Sequence, residues 1–274
     1  MSDSIDLDAY FARIGFAGER RPTLETLRAL QLRHAQSIAF ENLDPLLGRP
    51  VRLDIGSLQR KLVRDGRGGY CFEQNLLLAH VLRALGFRVT TLAGRVLWYA
   101  PDGPLTPRTH LLLRIDLDGE TLIVDSGFGA QTPTAPLRLD ADGAQPTPHE
   151  PYSLRRADDE FLLQARIGAD WRTLYRFGLQ EQLLPDIEIV NWYLSNHPES
   201  RFVSGLMAAR PAVGRRYTLR DNEFTVRSLE GGDERRVLTR AAELRDALEG
   251  PLGLTLPQAP EIDALLERIA ATRR

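Results

Sequence analysis

Cys71 is the only cysteine in the 274 residues, and it stands in the run Arg67-Gly68-Gly69-Tyr70-Cys71-Phe72-Glu73-Gln74-Asn75. The glycine pair supplies a tight turn, and roughly fifteen residues after the cysteine carry helical spacing, so the sulfur belongs at or beside a helix N-terminus. Unpaired N–H groups and the positive end of the helix dipole stabilise an anion there. A thiol in that setting is drawn toward thiolate, most strongly with a histidine at hand, which is the chemistry of a nucleophile. A lone cysteine is equally a small apolar core residue, and spacing alone leaves both readings open.

A histidine oriented by an aspartate would complete the nucleophile's chemistry by taking its proton. His110-Leu111-Leu112-Leu113-Arg114-Ile115-Asp116-Leu117 and Glu120-Thr121-Leu122-Ile123-Val124-Asp125 flank Asp118-Gly119. Asp-Gly between apolar runs signals a two-residue type I′ hairpin, which requires positive φ at both positions. If Leu117 faces Glu120, Leu112 faces Asp125, and His110 becomes the diagonal neighbour of Asp125, about 7 to 8 Å away on the same face. A one-residue bulge would break this register. The other histidines, His34, His80, His149 and His197, read as surface or core-edge residues. His80 lies too far along the helix to serve Cys71.

Other chemistries lack their motifs. No CxxC or HExxH occurs, the five histidines have no ligand spacing, and neither a Walker loop nor a dinucleotide fingerprint is present. Formal net charge is -2 and 26% of residues are charged, which gives no reason to expect nucleic acid or an anionic membrane as partner. The polar start Met1-Ser2-Asp3-Ser4 lacks the blocks of a signal peptide, and no apolar run approaches the roughly 20 residues of a spanning helix. A single cysteine makes no internal disulfide, so the expected compartment is the reducing cytoplasm.

The elements that must position these residues divide at Phe87. Before it, apolar spacing predicts four helices: Leu7 to Ile14 with Ser4 or Asp6 as cap, one after Pro22-Thr23, one from Asp54 toward Gly66, and one from Cys71 to Gly86. The stretch Ile38-Ala39-Phe40-Glu41-Asn42-Leu43-Asp44-Pro45 has no period, and Glu41 and Asn42 read either as a solvated turn or as buried polar anchors. After Phe87 the period falls to 2. Strands are expected at Val89 to Tyr99, ending in the turn Ala100-Pro101-Asp102-Gly103-Pro104, through the His110 hairpin, and at Tyr152 to Arg156, Phe161 to Ile167 and Trp171 to Phe177. Together they suggest a small antiparallel barrel or sandwich. A helix near Pro185 to Ser195, three strands between Leu206 and Leu229, and helices at Ala241 to Leu248 and Ile262 to Ala271 finish the chain. Phe40, Tyr70, Phe72, Trp98, Phe128 and Phe202 read individually as core.

The segment from Arg67 to Asn75, the upstream Ser37-Ile38-Ala39-Phe40-Glu41-Asn42-Leu43, Thr109-His110-Leu111-Leu112 and Val124-Asp125-Ser126-Gly127-Phe128-Gly129 together resemble the arylamine N-acetyltransferase family. Leu174-Tyr175-Arg176-Phe177 and the run from Asn191 to Phe202 match in the same order, and the last seventy residues match most loosely. The resemblance implies an α+β fold in three parts with a core similar to cysteine proteases and transglutaminases. These parts are a helical bundle (1–86), an antiparallel β-barrel (87–200) and an α/β lid (201–274). It implies a Cys71-His110-Asp125 triad, acetyl-CoA as co-substrate, no metal, and arylamine, arylhydroxylamine or hydrazine acceptors, in a monomer or homodimer. By the same resemblance Phe40, Phe128 and Phe202 line the acceptor pocket. Gly127, Phe128 and Gly129 border CoA, and Arg67 pairs with Glu41. Ser126 stands where valine is usual and adds a hydroxyl near the site. An amide synthase of the same fold, a cysteine amidase or peptidase, and a binding module with an inert thiol are the rival readings.

Overall fold

Asp6 accepts a hydrogen bond from the Ala9 N–H and Gly15 takes φ 62°, so the first helix, α1 (Leu7–Ile14), starts and stops where capping chemistry dictates. It buries Tyr10, Phe11 and Ile14. Thr23 caps α2 (Leu24–Ser37) in the same way. A two-residue strand, β1 (Phe40–Glu41), leads into a single turn, α3 (Leu43–Leu46). Asp54 caps α4 (Ile55–Leu58), which widens into a π-helical turn over Gln59–Arg64. Helix α5 (Cys71–Ala84) begins on the cysteine itself. The computed structural model describes residues 4–98 and 106–272. Tyr99 and the expected turn Ala100-Pro101-Asp102-Gly103-Pro104 lie outside the described residues.

The central strands are β2 (Arg88–Val96), β3 (Arg108–Leu117), β4 (Glu120–Val124), β5 (Leu137–Arg138), β6 (Tyr152–Ala157), β7 (Glu160–Ile167) and β8 (Asp170–Phe177). They pair antiparallel in the order β5-β4-β3-β2-β8-β7-β6. Gln145 bridges the two edges: its backbone pairs with Tyr152 of β6, and its carboxamide exchanges bonds of 2.7 and 2.9 Å with the backbone of Arg138 in β5. The sheet is thereby nearly closed into a barrel. Between β3 and β4 the register is the expected one, Leu117 opposite Glu120 and Leu113 opposite Val124, with Asp118 and Gly119 at φ 51° and 83°. Both faces of β3 are buried, which is why its sequence is a continuous apolar run. Leu111, Leu113 and Ile115 pack on the helices, whereas Leu112 points into the barrel with Leu92, Tyr175 and Phe177.

Helices α6 (Leu184–Asn196) and α7 (Arg201–Ser204) connect to a second sheet, β9 (Met207–Ala212), β10 (Arg215–Arg220), β11 (Glu223–Ser228) and β12 (Asp233–Val237), backed by α8 (Ala241–Glu249) and α9 (Pro260–Ala270). Within α6 it is Ile187, Asn191 and Leu194 that are buried, while Ile189 and Trp192 are exposed. The second sheet runs β1-β9-β10-β11-β12, so the residues before Cys71 supply its edge strand, with Phe40 opposite Ala209 and Glu41 opposite Ala208. Glu41 and Asn42 are fully buried, which removes the solvated-turn reading of that stretch. No helix among the described residues is long and apolar enough to cross a membrane.

Candidate active site

Cys71, His110 and Asp125 come from three elements and meet at one point. The cysteine is the first residue of α5 and is 3% exposed. His110 sits two residues before Leu112 on the barrel-facing side of β3, and its Nε2 lies 2.7 Å from Asp125 Oδ2, just past the end of β4. Cys71 Sγ donates to the carbonyl of Thr109, the residue before His110, at 3.8 Å, and lies near enough to act on the His110 ring. Burial opposes a charge on His110, but the Asp125 carboxylate and the hydrogen bonds to Asp125 and Cys71 outweigh it and push its pKa up to about 10. Asp125 is fully buried; burial raises its pKa, yet the His110 charge and its hydrogen bonds hold the carboxyl below the usual carboxylate range.

Asp125 accepts four hydrogen bonds. Oδ2 takes His110 and the Tyr175 hydroxyl at 2.9 Å, and Oδ1 takes the Gly127 N–H at 2.8 Å and Asn75 Nδ2 at 3.1 Å. Asn75 stands one turn beyond Cys71 and also donates to the Leu111 carbonyl and accepts the Ser126 N–H, so one side chain locks α5 to both strands of the hairpin. The i, i+4 spacing from Cys71 was the signal for that contact. Tyr175 carried no such signal, because its position on β8 depends on the barrel closing.

Two buried networks hold the turn before Cys71. In the first, the Tyr10 hydroxyl bonds His34 Nδ1 at 2.8 Å, and His34 Nε2 bonds Gln74 Oε1 at 2.7 Å. Gln74 Nε2 then donates to the carbonyls of Ile38, Ala39 and Gly69. His34 is therefore an interior link and not the surface or core-edge residue expected; burial lowers its pKa to about 4. The second network is ionic. Arg67 donates to Glu41 at 2.7 Å and to Asp44 at 3.2 Å, and Lys61 lies 2.6 Å from Asp44 and 2.7 Å from Glu73. Glu73 also accepts the Tyr70 N–H at 3.0 Å. Arg67 and Glu41 thus pair as expected, within a buried cluster; Lys61 and Asp44 were not singled out by the sequence, having no motif of their own.

A cleft of about 540 Å³ opens above the sulfur, and Cys71, His110, Phe40, Phe128 and Phe202 all border it. Phe128 meets the His110 ring edge-on at 5.1 Å, and Phe40 and Phe202 lie 6.2 Å apart. Trp98 joins this lining. Gly127 also borders the cleft, but the room a side chain would take there is already filled: a Cβ would stand 2.7 Å from Cys71 Cα and 2.9 Å from the Asn75 amide. At Gly129, φ is 78° and the nearest neighbour is the Phe40 ring at 3.5 Å, so this glycine holds a left-handed turn at the cleft edge. Ser126 is buried and is not part of the lining; its hydroxyl has no hydrogen-bond partner. No group of three or more His, Cys, Asp or Glu side chains among the described residues is arranged to hold a metal ion.

The N-acetyltransferase family profile matches residues 23–261. Arylamine N-acetyltransferase of Mycobacterium tuberculosis (H37Rv) is 46% identical over 270 residues, 97% of this chain and 95% of that protein. The chain belongs to the arylamine N-acetyltransferase family. Another member, the arylamine N-acetyltransferase / N-hydroxyarylamine O-acetyltransferase of Salmonella typhimurium, is 44% identical over 220 residues, 80% of this chain and 78% of that one. The structure of Mycobacterium marinum arylamine N-acetyltransferase in complex with CoA superposes with a TM-score of 0.92 at 40% identity, over 96% of this chain and 99% of that chain. As a member of the family, this chain is an acyltransferase, with the α+β architecture its motifs implied.

Proposed function

We propose that this protein transfers an acetyl group from acetyl-CoA to the nitrogen of arylamines or hydrazines, and to the oxygen of arylhydroxylamines, by a ping-pong mechanism through acetyl-Cys71. The observation that carries the reading is the convergence of Cys71, His110 and Asp125 at the base of an aromatic cleft. A thioester arm fits that shape, since the cleft leads to the sulfur and the backbone at its edge is bare at Gly129.

In the first half-reaction the Cys71 sulfur attacks the thioester carbonyl. The bond from that carbon to the CoA sulfur breaks, and the proton His110 has taken from the thiol passes to the departing thiolate. Backbone N–H groups at the start of α5 face the developing oxyanion. In the second half-reaction the acceptor nitrogen attacks the acetyl carbonyl, His110 receives its proton, and Cys71 leaves as thiolate. Asp125 keeps the imidazole oriented and stabilises its charged form. Phe40, Phe128 and Phe202 enclose the acceptor ring, Gly127, Phe128 and Gly129 flank CoA, and the Arg67–Glu41 pair steadies the approach to the nucleophile.

The reading includes a reducing cytoplasm, which protects a free thiol nucleophile from oxidation, and a chain that acts as a monomer or homodimer. The three functional parts are 1–86, 87–200 and 201–274, the last completed by β1. Incubation with acetyl-CoA alone, followed by mass spectrometry, is expected to show one added acetyl group on Cys71 and none on the Cys71→Ser variant. An unmodified wild-type protein, or equal acetylation of the variant, overturns the reading.

A further inference from the structure

The ladder between β3 and β4 stops at Leu113 opposite Val124, and the same register would next set Leu111 opposite Ser126. A side chain fills that rung instead. Asn75 Nδ2 donates to the Leu111 carbonyl at 2.7 Å, and Asn75 Oδ1 accepts the Ser126 N–H at 2.9 Å. A carboxamide from α5 thus stands where the two strands would have bonded each other. The same Nδ2 donates to Asp125 Oδ1 at 3.1 Å. Asn75 is fully buried, and with acceptors on one side and an N–H on the other its amide has a single satisfied orientation.

One turn earlier on α5, Cys71 Sγ donates to the Thr109 carbonyl. Cys71 and Asn75 are about 6 Å apart along the helix axis, and Thr109 and Leu111 are about 7 Å apart along the strand, so one turn of α5 is matched to two residues of β3. His110 lies between the two contacts. Gly127 brings the end of the other strand equally close, since a Cβ there would stand 2.7 Å from Cys71 Cα and 2.9 Å from Asn75 Nδ2. A thiol is a weak donor, so the carboxamide carries this register.

We propose that Asn75 is a positioning residue: inserted at the mouth of the hairpin, its carboxamide fixes α5 against β3 so that Cys71 faces His110. The proposal rests on the acetyl-transfer reading above, in which His110 takes the thiol proton. Asn75 acts through the imidazole, so its effect on the sulfur exists only while His110 is present. It does not border the cleft, so it leaves the binding of acetyl-CoA alone.

A double-mutant cycle separates that role from a merely structural one. Asn75→Ser leaves space for water to satisfy the groups it abandons, and Asn75→Leu keeps the volume; both remove the carboxamide. Cys71 reactivity is read at pH 7 by alkylation with iodoacetamide and mass spectrometry, with His110 present and in the His110→Asn background. Each Asn75 variant should slow alkylation about tenfold with His110 present, the worth of one net hydrogen bond, and should change nothing once the imidazole is gone. The thermal midpoint should fall alike in both backgrounds. In rapid-mixing acetylation by acetyl-CoA, the maximal rate should fall by the same factor at an unchanged half-saturating concentration. Full reactivity in the Asn75 variants, or an equal loss with and without His110, overturns the proposal. A wild-type protein that is alkylated no faster than His110→Asn, or that forms no acetyl-Cys71, defeats the acetyl-transfer reading itself, a result seen without any Asn75 variant.

Discussion

The two networks beneath the Cys71 turn do the same positional work by different physics. Tyr10, His34 and Gln74 form a neutral chain, in which burial keeps the imidazole uncharged and each bond is directional. Glu41, Asp44, Lys61, Arg67 and Glu73 form an ionic knot of three carboxylates and two cations. Fully ionised, the knot carries one excess negative charge a short way from a sulfur that the proposed mechanism makes an anion. Glu73 relieves that excess: burial, opposed by Lys61 and reinforced by Glu41, lifts its pKa to about 7. The neutral chain sets geometry without adding a field, whereas the knot sets geometry and keeps its own charge close to balance.

The largest effect is expected from breaking the knot. Arg67→Met leaves Glu41 and Asp44 buried with Lys61 as their only cation, and removal of one partner from a buried ion cluster costs about 3–5 kcal/mol. Urea unfolding at pH 7 reads it; a loss under about 1 kcal/mol would show that the knot is not holding the turn.

Titration sharpens the contrast, since His34 and Glu73, one from each network, respond to pH with opposite sign. His34 has a folded pKa of about 4 against an ordinary 6.5, so the unfolded chain binds its proton more readily and stability is lost as pH falls through that window. The shift corresponds to about 3 kcal/mol, and His34→Gln should therefore gain on wild type as pH falls from 6.5 to 4. Glu73 has a raised folded pKa, so its contribution is present below about 4.5 and is lost as pH rises toward 7. Glu73→Gln keeps an acceptor for the Tyr70 N–H and removes the titration, which should favour the variant as pH rises over that span. Unfolding free energies measured from pH 4 to 7 should diverge from wild type with opposite slopes. Parallel slopes would erase the distinction between a neutral and an ionic network.

The sequence made the local chemistry plain and the distant partnerships invisible. Asp6, Thr23 and Gly15 announced helix ends, and Asp118-Gly119 set a register that brought His110 to Asp125, because each of those signals acts within a few residues. β1 could not be read in the same way: a strand of two residues has no period, and its partner lies at Ala208 and Ala209. β12 is exposed along its whole length, so its charged sequence shows no alternation. No motif marks Arg216 or Lys61, and only the folded chain reveals the carboxylates they pair with. Cys71, His110 and Asp125 were legible since their turns and strands specify them locally. The parts that hold and line the cleft were hidden because they are products of closure.

The pairing of β1 with β9 also bears on how the protein is made. Asn42 completes the junction by donating to the carbonyls of Phe202 and Gly205 and accepting the N–H of Met207, contacts that span up to 165 residues. Such long-range pairing raises contact order and slows folding. A nascent chain emerges from its N-terminal side, so Cys71 leaves the ribosome well before the segment that joins Phe40 and encloses the cleft. The sulfur gains its enclosed cleft only when β9 arrives, and until then the partly made chain presents its one thiol in an unfinished pocket.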